Sequence, residues 1–411
     1  MARSDARTVA LGCAAVAALA STAAALAIIS VADWQPSVLV RMGDSEPLAR
    51  IARETDSDFA FVNPGGHGDG VYYYAIARDP VATAREHRLI DGAAYRYGHP
   101  GFSWLAFGAT AGRDQLLPLI FLLLGITGMA IAAGAAALIA ADLGWSPWMG
   151  LFVALQPGLI YSVTIATSEA VGAALLLVAL LAWQRDYWKA ALVMLVFLCF
   201  VKEWFAVVPI GLAVWELMRG SARHRDKYAR VIALLISSLP LLVWHAYVHH
   251  IFGEWPLLSG PDVFDFPLIG WLRSMRGDAA MGTESFDKVN VGHIGLPVLV
   301  VAATLLAFGS ARAVRLRTPL DAAFLAFIPF IAALNSLTLL YPKDAIRTLA
   351  VPLALLPAAA LGARERRPYD ARVAARPVEV DAEDGVESVA GGRSFGAPNR
   401  ERASDTSPGQ P

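Results

Sequence analysis

Residues 116–140 run without a single ionisable side chain. A helix needs about 20 apolar residues to cross the roughly 30 Å hydrocarbon core of a bilayer. Comparable apolar stretches recur at 8–31, 231–250, 294–311, 320–340 and 346–361, and two longer ones occupy 148–183 and 188–218. Runs of this length and number predict an all-α chain, a polytopic bundle of membrane helices. Composition points the same way. Soluble domains average about 45–50% apolar and about 25% charged residues, whereas this chain of 411 residues is 56% hydrophobic and 17% charged. A formal net charge of -1 gives no basic surface suited to nucleic acid. Cys13 and Cys199 both lie inside apolar runs, so no disulfide framework is implied.

The first run follows Arg3 and Arg7 and is longer than the roughly 7–15-residue core of a cleavable signal peptide, so it is expected to remain as the first span. The stretches at 148–183 and 188–218 are too long for one straight crossing at about 1.5 Å per residue. Each carries polar residues near its middle, Thr167-Ser168-Glu169 in one and Lys202-Glu203 in the other. Two hairpins with those groups at their turns are the simplest solution. Short cytoplasmic loops are enriched in Lys and Arg, and the hairpins place Arg185, Lys189, Arg219, Arg223, Arg225, Lys227, Arg230, Arg312, Arg315, Arg317, Arg364, Arg366 and Arg367 inside. Unfolding either hairpin into a single span would send the clusters downstream of it outward. About ten transmembrane helices with both termini cytoplasmic satisfy the rule.

The transmembrane domain is thus expected over residues 1–363, with a first extracytoplasmic loop at about 32–100 that contains short interfacial helices. A second outer stretch covers 252–293, with Trp255, Asp262, Asp265 and Trp271, and a short outer turn carries Tyr341-Pro342-Lys343-Asp344. Residues 364–411 have almost no large apolar side chains and are expected to form a disordered cytoplasmic tail.

That topology, fixed from the cytoplasmic charges alone, sends separate polar groups to one face: Asp69, Glu169, Lys202 with Glu203, and Lys343 with Arg347. Ionisable groups at membrane depth are costly and usually line a cavity or pathway. The first outer loop reads His67-Gly68-Asp69-Gly70-Val71-Tyr72-Tyr73-Tyr74-Ala75-Ile76-Ala77-Arg78-Asp79-Pro80, followed by Ala94-Tyr95-Arg96-Tyr97-Gly98-His99-Pro100. Glycines beside Asp69 permit a tight turn and close approach of another group. The tyrosines suit either an interfacial anchor or stacking on a sugar. An amphipathic interfacial helix would explain the tyrosines but not the flanked aspartate.

These residues resemble a known family. Asp-Gly-x-Tyr-Tyr-Tyr-x-Ile-Ala after the first span looks like the Asp-Gly-x-x-Tyr-x-x-Ile-Ala loop of the GT-C glycosyltransferases, most closely the mannosyltransferases of GPI assembly and their bacterial relatives. Gln156-Pro157-Gly158-Leu159-Ile160-Tyr161, followed by Ala166-Thr167-Ser168-Glu169-Ala170, is similar to the family's proline-plus-aromatic run ending in Ser-Glu. Val201-Lys202-Glu203-Trp204 stands where relatives commonly carry Thr-Arg-Glu, with Lys202 in place of the arginine, and Arg347 opens the last span. The resemblance implies transfer of a sugar, as a hexosyl- or mannosyltransferase, from a polyprenyl-phosphate carrier to a glycan or glycolipid acceptor in the membrane. Asp69 would act as general base on the acceptor hydroxyl. Lys202, Lys343 and Arg347 would stabilise the departing phosphate, whose negative charge grows during displacement. Tyr72, Tyr74, Arg96, His99, Glu169 and Glu203 complete the expected substrate-binding set; structural pairing at a helix turn is an equal reading for the two glutamates.

Other signals carry less. Asp56-Ser57-Asp58 has the spacing of a metal–nucleotide element but no surrounding strand–helix pattern, so it reads as an exposed acidic loop. Asp33 and Asp79 are rivals for the base, and Asp79, beside Pro80, more often caps a turn. His245 and His249 stand four apart with no evident third metal ligand. No cofactor or metal is called for. Two other classes stay open: a transporter or flippase of lipid-linked sugars, and a non-catalytic component of an envelope assembly.

Overall fold

A computed structural model of the chain describes residues 3–62, 68–219, 224–260, 264–276 and 295–361. The chain divides into two compact units, Met1–Arg366 and Arg367–Pro411. The second unit lies outside the described residues, as do the tail expected to be disordered at 364–411, His67, Asp262, Arg223 and the last part of the 252–293 stretch. Of the described residues 76% are helical, and no strand occurs among them.

The first long helix, α1 (Arg3–Ile29), shows how these helices pack. Between its ends, where Val9 and Ile29 are buried, the inward positions are small, Ala10, Cys13, Ala17, Ser21 and Ala25, spaced three or four residues apart. Its large side chains point out: Leu11 is 72% exposed and Leu19 70%. A helix on a water-soluble core shows the reverse, with large apolar residues inward. Small residues at the contact and large apolar ones outside are what helix packing in lipid produces, because association there comes from close backbone approach. Ser21 donates its hydroxyl proton to the Ala17 carbonyl at 2.7 Å, so this buried hydroxyl is satisfied within the helix.

Four short helices follow: α2 (Ala49–Thr55), α3 (Gly70–Arg78), α4 (Ala93–Tyr97) and α5 (Gly101–Thr110). The apolar run at 116–140 becomes α6 (Leu117–Asp142), which packs against α1. The hairpins expected at 148–183 and 188–218 break where their polar residues sit. The first contains α7 (Leu151–Ala154), α8 (Pro157–Thr164) and α9 (Glu169–Gln184), and α9 packs on α6. The second contains α10 (Trp188–Val201), a 3-10 turn at Glu203–Ala206 and α11 (Val207–Met218). Pro157 explains why the first limb is in pieces: it lacks an N–H and pushes Gln156 into extended backbone. The Gln156 side chain then accepts from the Leu159 N–H at 2.6 Å, satisfying an otherwise orphaned donor of α8.

Downstream come α12 (His224–Ile236), α13 (Leu239–Phe252), α14 (Ile269–Arg276) and α15 (Leu296–Ala313). The expected span at 320–340 is interrupted. Helix α16 (Pro319–Ala332) carries Pro329 and stops; Asn335 then caps a short α17 (Ser336–Leu340) by accepting from the Thr338 N–H at 3.0 Å. The segment before α14 docks on that interruption, with the N–H of Asp265 donating to the Ala333 carbonyl at 2.8 Å. Helix α18 (Pro342–Leu361) begins four residues before the expected 346, so Lys343 stands in its first turn rather than in a loop.

Among the described residues, four stretches are long and apolar enough to cross a membrane: Asp5–Ile29, Asp114–Asp142, Asp226–Phe252 and Leu296–Ala313. Shorter apolar helices are Glu169–Gln184, Trp188–Val201 and Pro319–Ala332. The bundle is compatible with a helical membrane protein. Ion pairs join several helix ends at one pole: Arg185 to Asp142 at 2.8 Å, and Arg230 to Asp186 at 2.7 Å. The C-terminal ends of α6 and α9 and the N-terminal ends of α10 and α12 therefore lie together. The opposite ends of α9 and α10 carry Glu169 and Lys202, about 24 Å away for sixteen residues of α9 at helical rise.

Candidate functional site

Two close backbone approaches bring the distant segments together. Gly70 opens α3 directly against the carbonyls of Val40 and Ile165; a Cβ there would lie 2.7 and 2.8 Å from those oxygens. Only glycine fits, and its neighbour Asp69 is thereby seated beside the turn that leads into Glu169. Gly101 opens α5 against the end of α10, where a Cβ would meet the Phe200 carbonyl carbon at 2.7 Å and the Val201 nitrogen at 2.8 Å. That contact lays His99, just before α5, alongside Lys202 and Glu203. Sequence reading took the glycine beside Asp69 as room for another molecule; the group that approaches Gly70 is the chain's own backbone.

From these seats the charged side chains form one alternating series. Arg96 Nη1 lies 3.5 Å from Asp69 Oδ1, and Arg347 Nη1 lies 2.6 Å from Asp69 Oδ2. Arg347 Nε is 3.8 Å from Glu169 Oε1, and Lys202 Nζ donates to that same oxygen at 3.0 Å. Beside Lys202, Glu203 Oε2 pairs with His99 Nδ1 at 2.9 Å. Aromatic rings close the sides. The Arg96 guanidinium lies 3.6 Å from the centre of the Tyr72 ring, a cation–π stack. Tyr95 meets the His99 ring edge-on at 5.3 Å. Tyr73 shares a 2.9 Å hydrogen bond with Ser168, next to Glu169.

Burial differs along the series in a way that matters. The Glu169 side chain is 2% exposed and stands at the first residue of α9, whereas that of Asp69 is 29% exposed and belongs to a turn. Burial alone would raise the Asp69 carboxyl, but the charges of Arg347, Arg96 and Lys202 outweigh it and hold the group well below the usual carboxylate range. Asp69 is therefore ionised at neutral pH.

Among the expected site residues, Asp69, Tyr72, Arg96, His99, Glu169, Lys202, Glu203 and Arg347 converge. Two do not. Tyr74 is buried on the other side of α3, packed 5.5 Å from the Phe59 ring and beside Arg78. Successive residues on a helix point about a quarter-turn or more apart, so Tyr72, Tyr73 and Tyr74 cannot all face one site. Lys343 is exposed, with Nζ 5.9 Å from the Tyr341 ring, because the early start of α18 turns it away. Its neighbour Asp344 takes the inner position, 3.7 Å from Arg347 Nη2. Asp344, Tyr73, Tyr95 and Ser168 stand in the cluster although none belongs to the set of site residues expected from the sequence. For Asp344 the available signal was its i,i+3 spacing from Arg347.

The rival groups have local roles. Asp79 accepts from the Thr83 and Ala84 N–H groups at 2.8 and 3.0 Å and pairs with His87, which is turn capping. Asp33 is exposed in the turn after α1, and Asp56 accepts from the Asp58 N–H within its own loop. His245 bonds to the Gly98 carbonyl at 2.9 Å while His249 stacks on Trp255, so the two do not share a ligand. No group of three metal-ligating side chains occurs among the described residues.

The arrangement offers an anionic oxygen at the exposed end of the series and two cations on a common buried carboxylate behind it. Such a set can hold a phosphate and face a hydroxyl. No family model, curated protein or solved structure matches the chain.

Proposed function

We propose that this chain is a multi-pass glycosyltransferase of the cell membrane, of the GT-C type that its motifs resemble, taking a hexose from a polyprenyl-phosphate donor. In this reading about ten spans place both termini in the cytoplasm. The pole with Arg185 and Arg230 faces inward, and the Asp69–Arg347–Glu169–Lys202 series faces the extracytoplasmic leaflet. The observation that carries the reading is the convergence of Asp69, Arg96, His99, Glu169, Lys202, Glu203 and Arg347 from segments far apart in the chain.

Asp69 takes the proton of the acceptor hydroxyl. The oxygen's electron pair forms the new bond to the anomeric carbon, and the bond from that carbon to the phosphate oxygen breaks with its pair left on the phosphate. Arg347, a planar two-pronged donor, and Lys202, a point charge, stabilise that developing charge. Arg96 over Tyr72 and the His99–Glu203 pair line the acceptor side. A transporter usually keeps its ionisable groups near the bilayer midplane between repeated halves. Here Glu169 begins α9 and Lys202 follows the end of α10, positions at helix ends, which favours surface chemistry over passage.

The test is a mass-spectrometric comparison of envelope glycans and glycolipids from cells carrying the wild-type chain, the Asp69→Asn variant, or neither. The expected result is a product one hexose heavier with the wild type only, at equal levels of both proteins. Identical glycans in all three cells would remove the transferase reading.

A further inference from the structure

The charge count of the site raises a difficulty for binding any anion. Three cations, Arg96, Lys202 and Arg347, face four carboxylates, Asp69, Glu169, Glu203 and Asp344. Each of these three cations is already held by one of those carboxylates, Arg96 and Arg347 by Asp69 and Lys202 by Glu169. A phosphate can engage Arg347 and Lys202 only if a carboxylate gives way.

The geometry indicates which one. Glu169 is nearly fully buried, fixed at the start of α9, and holds both Arg347 and Lys202. Asp344 rides on the same helix as Arg347, at 3.7 Å. Glu203 is committed to His99. Asp69 makes the shortest contact to Arg347, at 2.6 Å, yet it is far more exposed than Glu169 and, unlike Asp344, sits in a turn apart from Arg347's own helix. It also has a second cation, Arg96, at 3.5 Å, able to keep it company when Arg347 is taken.

Resting on the transferase reading above, we infer that the Asp69 carboxylate stands in for the donor's phosphate against Arg347 in the empty protein. The arriving phosphate takes Arg347 over and thereby releases Asp69. The exchange answers a second difficulty. A carboxylate pinned by two guanidiniums is a weak proton acceptor, and a general base works best when its affinity for protons is nearer the working pH. Losing Arg347 to the phosphate removes the strongest of the charges that hold Asp69 ionised. The base is then competent only when a donor is in place. Proton, attacking electron pair and leaving phosphate move as described above, with no further reactant.

The experiment is direct binding of farnesyl phosphate to the full-length protein in lipid nanodiscs. If Asp69 competes with phosphate, removing its charge tightens binding even as it abolishes transfer: Asp69→Asn is expected to lower Kd on the order of tenfold, by raising the fraction of protein with a free Arg347. Asp58→Asn removes one negative charge from the exposed acidic loop of the same outer segment without freeing Arg347, and its Kd should stay within about twofold of wild type by the same relation. Arg347→Gln should lose binding. Unchanged or weaker binding in Asp69→Asn overturns the exchange, and so does equal tightening in Asp58→Asn. Wild type that binds no farnesyl phosphate at all, with none bound by any variant, overturns the transferase reading along with it. Should Asp69→Asn fail to fold, infrared difference spectra of wild-type protein with isotope-labelled aspartate decide: a shift of an aspartate carboxylate band on adding farnesyl phosphate supports the exchange, and its absence overturns it.

Discussion

Glu169 is the residue on which the site's cations depend. Its Oε1 serves Lys202 at 3.0 Å and Arg347 at 3.8 Å, and its side chain is almost wholly buried. Breaking a buried ion pair by removing one partner leaves an uncompensated charge and costs about 3–5 kcal/mol, while replacing both partners by neutral groups is often close to neutral. Glu169→Gln should therefore destabilise the protein by about that amount, and Glu169→Gln combined with Lys202→Met should recover much of the loss. Thermal unfolding in a fixed lipid mixture measures both; a double variant no better than the single one contradicts the pairing. At this scale the sequence was most informative about identity and least about direction. Asp69, Glu169, Lys202 and Arg347 were legible because a charge beside an apolar run is conspicuous. The failure of Lys343 was not, since whether it faces the site depends on where α18 begins, and a boundary is set by packing as well as by local sequence.

Among the elements, α5 illustrates how a short helix positions the site. Two glycines of this helix have opposite surroundings. Gly101 has backbone of Phe200 and Val201 where a Cβ would go, while Gly108 has nothing within 4 Å. Gly101→Ala must push α5 from the end of α10, at a cost of about 1–3 kcal/mol for overpacking, and part His99 from Glu203. Gly108→Ala, at an open helical position, should stabilise by about 0.4–1 kcal/mol. Unfolding of the two variants side by side checks the contrast; equal effects would mean that the approach at Gly101 is not tight. The broken hairpins were legible from run length and mid-run polar residues. The interruption of 320–340 was not, because Asn335 and the docked segment before α14 act through contacts between distant parts of the chain.

At the scale of the whole molecule, the outward-facing leucines of α1 and its inward small residues separate this bundle from a water-soluble one. Arginine-rich helix ends gather at one pole, and Glu169 and Lys202 sit at the far ends of α9 and α10. The separation of these charges to opposite helix ends is legible in the sequence, where ionisable residues stand out against apolar runs. Which side chains touch within the site was not readable, as it rests on backbone approaches at Gly70 and Gly101. The central claim is that this pole transfers a sugar from a lipid phosphate. Its most direct test is turnover of a polyprenyl-phosphate hexose by purified protein in vesicles supplied with a membrane glycan extract as acceptor. Wild type is expected to release polyprenyl phosphate, and Asp69→Asn and Arg347→Gln to be slower by about a hundredfold or more, as loss of a general base or of a charge-stabilising donor predicts. Donor left intact by wild type, or consumed equally by all three proteins, would contradict the account.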